Sequence, residues 1–224
     1  EEKITCTLTE DGVRIEAAGV SAHGGTPWEG ENAIGRLMLF LNRLPLTGEL
    51  AGIVKLLAEK IGMECDGASL GIAIADEVSG GLTMNLGVVQ GSVQGEECEI
   101  HVKLNYRYPV TKSFEECGPK VEAAFEEAGF RSVSLNHKAG LYMEPDSPLV
   151  SRLLEVYARC TGQEAAPKCI GGGTYAKMMP NTLAFGPIFP GDEVREHKPD
   201  EYMELDRLID NAEILAQAMY ELAR

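Results

Sequence analysis

From Cys98 to Tyr108 apolar and polar residues alternate without a break. Cys98, Ile100, Val102, Leu104, Tyr106 and Tyr108 fall on one side, Glu99, His101, Lys103, Asn105 and Arg107 on the other, and Pro109 ends the run. A period of two marks a strand with one packed face and one wet face, which places it in an antiparallel sheet covered on one side. Helical patterns nearby supply the cover. Ile34, Leu37, Met38 and Leu41 share a face between Glu31 and Leu44, and Ile53, Leu56 and Leu57 share one between Leu50 and Ile61. Ser113 with Glu116 reads as a capping box opening a helix to Gly129, kinked or delayed by Pro119. Further strands are expected in a hairpin about Asp11-Gly12 and at Ser69 to Ala75, Leu82 to Val89 and Arg131 to His137. Residues 1–138 therefore read as an α+β domain, an antiparallel ferredoxin-like sheet with helices on one face and a helical insertion at about 45–68.

Gly140 and the Pro145/Pro148 pair mark a boundary. Residues 141–224 follow a different pattern: a helix from Ser147 to Cys160, a glycine turn at 171–173, a short strand from Thr182 to Phe185, and a terminal helix from Asp206. That is a partial α/β segment with too few strands to make a sheet alone. The 35 Asp and Glu against 20 Lys and Arg leave a net charge of −15, which repels polyanions and argues against nucleic acid or an anionic membrane as partner. The longest apolar runs are too short to span a bilayer. The six cysteines form no C-x-x-C pair and read as scattered buried thiols of a reducing cytoplasm. The first residue is Glu1 rather than Met, from which a preceding segment is expected.

Several residues could carry chemistry, and each also has a plain structural reading. His101 and His137 lie in strand patterns and read as strand residues rather than ligands. His23 and His197 lie in loops rich in glycine and proline, where functional groups concentrate. His197, close to Asp200 and Glu201, suits a metal site, an acid/base pair or a solvated loop. Gly171-Gly-Gly-Thr-Tyr175 suits an anion cradle with Thr174 adding a hydroxyl, or a flexible turn. Arg107 suits a bidentate carboxylate site or an ordinary surface position.

In their order, Gly19-Val-Ser-Ala-His-Gly-Gly-Thr-Pro-Trp-Glu-Gly-Glu-Asn-Ala-Ile34, Asn105-Tyr-Arg-Tyr-Pro109, Gly171-Gly-Gly-Thr-Tyr-Ala176 and His197-Lys-Pro-Asp-Glu-Tyr202 resemble the dinuclear-zinc exopeptidase and amidohydrolase family. The nearest likeness is to its PepV-type and carnosinase-like dipeptidases. The resemblance implies that residues 1–138 are a lid (dimerisation-type) domain and 141–224 the last part of a catalytic domain. It implies that His23 stabilises the oxyanion, that Arg107, with Asn85 beside it, holds the substrate carboxylate, that Gly172, Gly173 and Thr174 line the pocket, and that His197 is a metal ligand. Two zinc ions are implied, with Mn or Co as alternatives, along with a small peptide substrate and a homodimer. The family's H-x-D segment and Glu-Glu base are missing, so the chain is expected to need the N-terminal half of the same enzyme and to be inactive alone. An N-acyl-amino-acid deacylase and a non-catalytic dimerisation module remain the alternatives.

Overall fold

A computed structural model describes residues 3–94, 97–196 and 200–224 of the chain. They fall into two units, one running through Gly140 with Ile170–Gly172 added, the other made of Leu141–Cys169 and Gly173–Arg224.

The first unit opens with a hairpin of β1 (Ile4–Thr9) and β2 (Gly12–Ala17). Thr9 pairs with Gly12, so Glu10 and Asp11 make the turn, one position earlier than the Asp11-Gly12 pair singled out above. Helices α1 (Ala33–Leu41) and α2 (Gly48–Lys60) follow, at the two apolar periodicities. A strand at Ser69 to Ala75 does not form. Gly67 and Gly71 adopt left-handed φ of 72° and 70° around the single 3-10 turn Ala68–Leu70, so the chain bends twice where a strand would run straight. Pairing starts only at β3 (Ala75–Asp76), which meets β4 (Gly80–Gly81).

The longest ribbon joins β5 (Thr83–Gln94) to β6 (Glu97–Arg107), antiparallel, with Thr83 opposite Arg107, Asn85 opposite Asn105, and a bulge between Leu86 and Val88. Its inner face follows the alternation: Val102, Leu104 and Tyr106 pack on the core while Glu99, His101, Lys103, Asn105 and Arg107 are exposed. Val54, Leu57, Ala58 and Ile61 of the 45–68 segment meet Ile72, Leu82, Met84 and Leu86 in that core. The unit is thus α+β, with helices packed on antiparallel strands. Among the described residues the strands pair as three separate two-stranded sheets rather than one ferredoxin-like sheet. Helix α1 contacts both β2 and β5, so the two long ribbons share a helix instead of a hydrogen-bonded edge.

The capping box closes as expected, Ser113 N–H donating to Glu116 Oε1 at 3.0 Å, but it caps a 3-10 turn. Helix α3 (Gly118–Glu127) begins after it, with Pro119 in its first turn, where a missing N–H leaves no bond unmade. Arg131 to His137 is not a strand. No described strand pairs with it in a ladder, and Val133 and Leu135 stay exposed. The segment is fastened instead by His137, whose Nε2 lies 2.6 Å from the Tyr108 hydroxyl and whose ring packs on Phe114.

Asp76 ties the β3–β4 turn to the segment after β6. It accepts from Ser79 through its backbone N–H and its hydroxyl, and from Thr111 through its N–H (3.1 Å) and hydroxyl (2.8 Å). Partial desolvation pushes its pKa up, but these hydrogen bonds outweigh that and hold it well below the ordinary 3.8. A depressed folded-state pKa contributes stability that is present above the unfolded value and lost as pH falls through it. Thermal stability should therefore decline as pH drops below about 4, and less steeply in Asp76→Asn, whose side chain does not titrate. A melting series from pH 6 to pH 2 checks this, and parallel curves for the two proteins would refute it.

The second unit holds α4 (Pro148–Thr161), with the Ser147 hydroxyl accepting from Val150 N–H, and α5 (Leu205–Ala223). Leu153 and Val156 meet Ile214, Ala218 and Phe189. Glu221, buried, is ion-paired to Arg159 (3.0 Å), Arg224 (2.9 Å) and Arg152 (3.7 Å). Thr182 to Phe185 is not a strand. No described strand pairs with it, and Leu183 and Phe185 pack on the α4–α5 cluster instead. The cysteines also depart from expectation: Cys117 is buried, but Cys6 and Cys169 are exposed, Cys6 because it sits on the largely bare β1–β2 hairpin. Among the described residues no helix is long and apolar enough to cross a membrane.

Candidate functional site

Residues 20–31 form a loop whose neck is closed by a two-way bridge. Val20 N–H donates to Glu31 O at 3.0 Å, and Glu31 N–H to Val20 O at 2.9 Å. The Glu31 carboxylate strengthens that neck by bonding Lys3 and Arg36, and the Lys3 hydrogen bond above all keeps its pKa low. Within the loop, Thr26 N–H returns to His23 O at 2.9 Å, and the short turn Pro27–Glu29 packs on β5. His23 is exposed near the tip. Its Nδ1 accepts the Gly25 N–H at 3.3 Å. A backbone N–H can only donate, so in the neutral ring the proton sits on Nε2.

Arg107 is the last residue of β6, and the same loop lies against its guanidinium. A Cβ on Gly25 would stand 2.5 Å from Arg107 Nη1 and 3.0 Å from the Gly171 Cα, while one on Gly24 would stand 3.3 Å from Arg107 Nη2. Only glycine lets the loop approach this closely. That cover desolvates the guanidinium and lowers its pKa from the ordinary value. Among the described residues no carboxylate pairs with Arg107. The loop of His23, the end of β6 and the glycine turn thus converge, and a Cβ on Gly172 would lie 3.9 Å from His23 Cε1.

Asn85, half-buried, lies on the same face of the ribbon, opposite Asn105 and two positions from Thr83, the partner of Arg107. Gly173 and Thr174 belong to the second unit. There the Thr174 hydroxyl accepts from Ala176 N–H at 3.2 Å and caps the 3-10 turn Tyr175–Met178. Four residues are too few to build a helix dipole, so an anion cradle at a helix N-terminus does not form. His197 lies outside the described residues. Among those described, no three His, Cys, Asp or Glu side chains gather closely enough to hold a metal ion, so they do not by themselves fit the two-ion centre that the resemblance implies.

Sequence reading missed Asn32. Its Oδ1 accepts from Ile34 and Gly35 N–H at the start of α1, and its Nδ2 donates to Asn85 Oδ1 and Leu86 O. An asparagine just before an apolar helical pattern is a capping signal, which was legible; the contact with a strand fifty residues away was not.

The chain is 36% identical over 208 residues to "Putative dipeptidase YtjP" of Bacillus subtilis (strain 168), covering 92% of this chain and 43% of that protein. It is 28% identical over 217 residues to a "Putative dipeptidase" of Staphylococcus saprophyticus (96% and 46%). A "Putative dipeptidase" of Staphylococcus epidermidis is 29% identical over 204 residues (91% and 43%). The chain spans less than half the length of each. Residues 11–132, more than half of the chain, match the peptidase dimerisation domain. The chain belongs to the M20 peptidase family, whose dimerisation domain makes up most of its first unit.

Proposed function

We propose that this chain is the lid and the C-terminal catalytic segment of a metal-dependent exopeptidase that hydrolyses dipeptides. The observation that carries the reading is Arg107: a partly desolvated guanidinium without a carboxylate partner among the described residues, packed against the loop that presents His23. A cation held so gains by taking an anionic ligand, and the fork of the guanidinium matches a carboxylate. The free carboxylate at the end of a dipeptide has that chemistry. Arg107 would hold it, Asn85 would donate a further hydrogen bond, and Gly172, Gly173 and Thr174 would line the pocket.

His23 Nε2–H would donate to the carbonyl oxygen as it becomes an oxyanion, the position at which a preorganised donor accelerates amide hydrolysis most. Metal binding belongs to the same reading, with zinc as the expected ion. His197 is the ligand proposed from this chain, and the remainder would come from the rest of a longer enzyme. Residues 1–138 and 141–224 are the two domains in this proposal. The dimerisation domain supports a homodimer, and a cytoplasmic enzyme is in keeping with free thiols.

The test uses the longer enzyme and two matched substrates, a dipeptide and its C-terminal amide. Arg107→Ala should lower kcat/KM for the dipeptide by about 10–100-fold, the worth of one charge-assisted contact, mainly through KM. The amide, a poor substrate of the parent, should change little. An equal loss on both substrates would remove Arg107 from carboxylate recognition.

A further inference from the structure

The four side-chain hydrogen bonds of Asn32 point in two directions. Oδ1 accepts the N–H groups of Ile34 (2.9 Å) and Gly35 (3.1 Å), capping α1. Nδ2 donates to Leu86 O and Asn85 Oδ1, both at 2.9 Å. Backbone groups fix this polarity, because an N–H can only donate and a carbonyl can only accept. The Asn32 amide therefore has one orientation, and its Nδ2 admits only the oxygen end of Asn85.

Asn85 is thereby left with its Nδ2 as the end available to a ligand. Gly87 and Asn105 beside it are exposed. Gly87, at the bulge of β5, carries no side chain, and a Cβ there would stand 3.8 Å from Asn85 Nδ2 and 3.4 Å from Asn105 Nδ2. Two amide nitrogens, paired across the strands, thus flank an uncovered patch on the face that carries Arg107.

We infer that Asn32 is a positioning residue: by occupying Asn85 Oδ1 it makes Asn85 solely a donor, aimed at an oxygen of the substrate. Without that lock the Asn85 amide can turn over and present its own oxygen to the substrate oxygen, which repels. The lock couples the first turn of α1, and through it the neck of the His23 loop, to the ligand-binding face of β5. The catalytic consequence rests on the dipeptidase reading above, whereas the lock itself does not.

Asn32→Ser separates the two duties of the residue. Serine caps a helix nearly as well as asparagine but is too short to reach Asn85 or Leu86, so the melting temperature should fall by only a few degrees, the loss of two hydrogen bonds with the cap retained. Side-chain amide relaxation of ¹⁵N-labelled chain should show the Asn85 amide rigid in the parent and mobile in Asn32→Ser; an unchanged Asn85 amide overturns the lock. In the longer enzyme, Asn32→Ser should lower kcat/KM for a dipeptide by roughly 10-fold, and adding it to Asn85→Ala should bring no further loss. Losses that multiply, or full activity in Asn32→Ser beside an impaired Asn85→Ala, overturn the coupling. Asn32→Asp, which caps well and sets a carboxylate against Asn85 Oδ1, should invert that amide and lose at least as much. If the longer enzyme cleaves no dipeptide, the dipeptidase reading falls, and amide relaxation still decides the lock.

Discussion

In the longer enzyme His23→Ala is expected to lower kcat by about 10²–10³-fold, the loss typical of removing one preorganised oxyanion donor. The Gly25 N–H occupies Nδ1 and so assigns the proton of the neutral ring to Nε2. The loop neck at Val20 and Glu31 holds the tip in place before substrate arrives, so little reorganisation is left for the reaction step. Because the side chain is exposed, its removal opens no cavity and should lower the melting temperature by no more than a few degrees. His23→Gln, which retains an N–H donor, should recover part of the rate. Undiminished turnover in His23→Ala would remove His23 from oxyanion stabilisation.

The other large effect concerns stability. Leu57 of α2 is fully buried among the side chains that join α1, α2 and β5. Truncation to alanine removes apolar contact and leaves a void that close-packed neighbours only partly fill, at a cost of about 2–5 kcal/mol. That is a large share of the stability of an ordinary domain, roughly 5–15 kcal/mol. In denaturant titrations the midpoint should fall strongly with little change in slope. Leu8→Ala, on the exposed side of the hairpin, should shift it by no more than about 0.5 kcal/mol. Equal effects at Leu8 and Leu57 would mean that α2 is not part of the core.

Much of the fold was legible because its long elements are amphipathic. The alternation through β6 and the apolar faces of α1 and α2 each declare a side to bury, and the structure packs those sides into the core, whereas α5 buries Ile214 and Ala218 but leaves Leu208, Ile209 and Met219 exposed. The strands expected at Ser69 to Ala75, Arg131 to His137 and Thr182 to Phe185 failed for one shared reason. An apolar stretch is only a candidate strand until a neighbour offers a ladder, and the local pattern carries no information about the neighbour. At Ser69 to Ala75 the left-handed Gly71, with Gly67 just before the segment, bends the chain as well.

The site divides along the same line. His23, Arg107 and the glycine run could be picked out because unusual residues stand in loops and at strand ends, and because their order resembles a known family. What they do together depends on distances between segments far apart in the chain. By itself the sequence determined which faces are apolar, where helices begin and which residues carry chemistry, since all of these are written in near-neighbour patterns. Only the tertiary structure decided that the His23 loop lies against the Arg107 guanidinium, that Gly25 has no room for a side chain, and that Asn32 turns the Asn85 amide. Those relations are set by packing and by the fixed polarity of backbone groups, which act through space between residues that the sequence leaves remote.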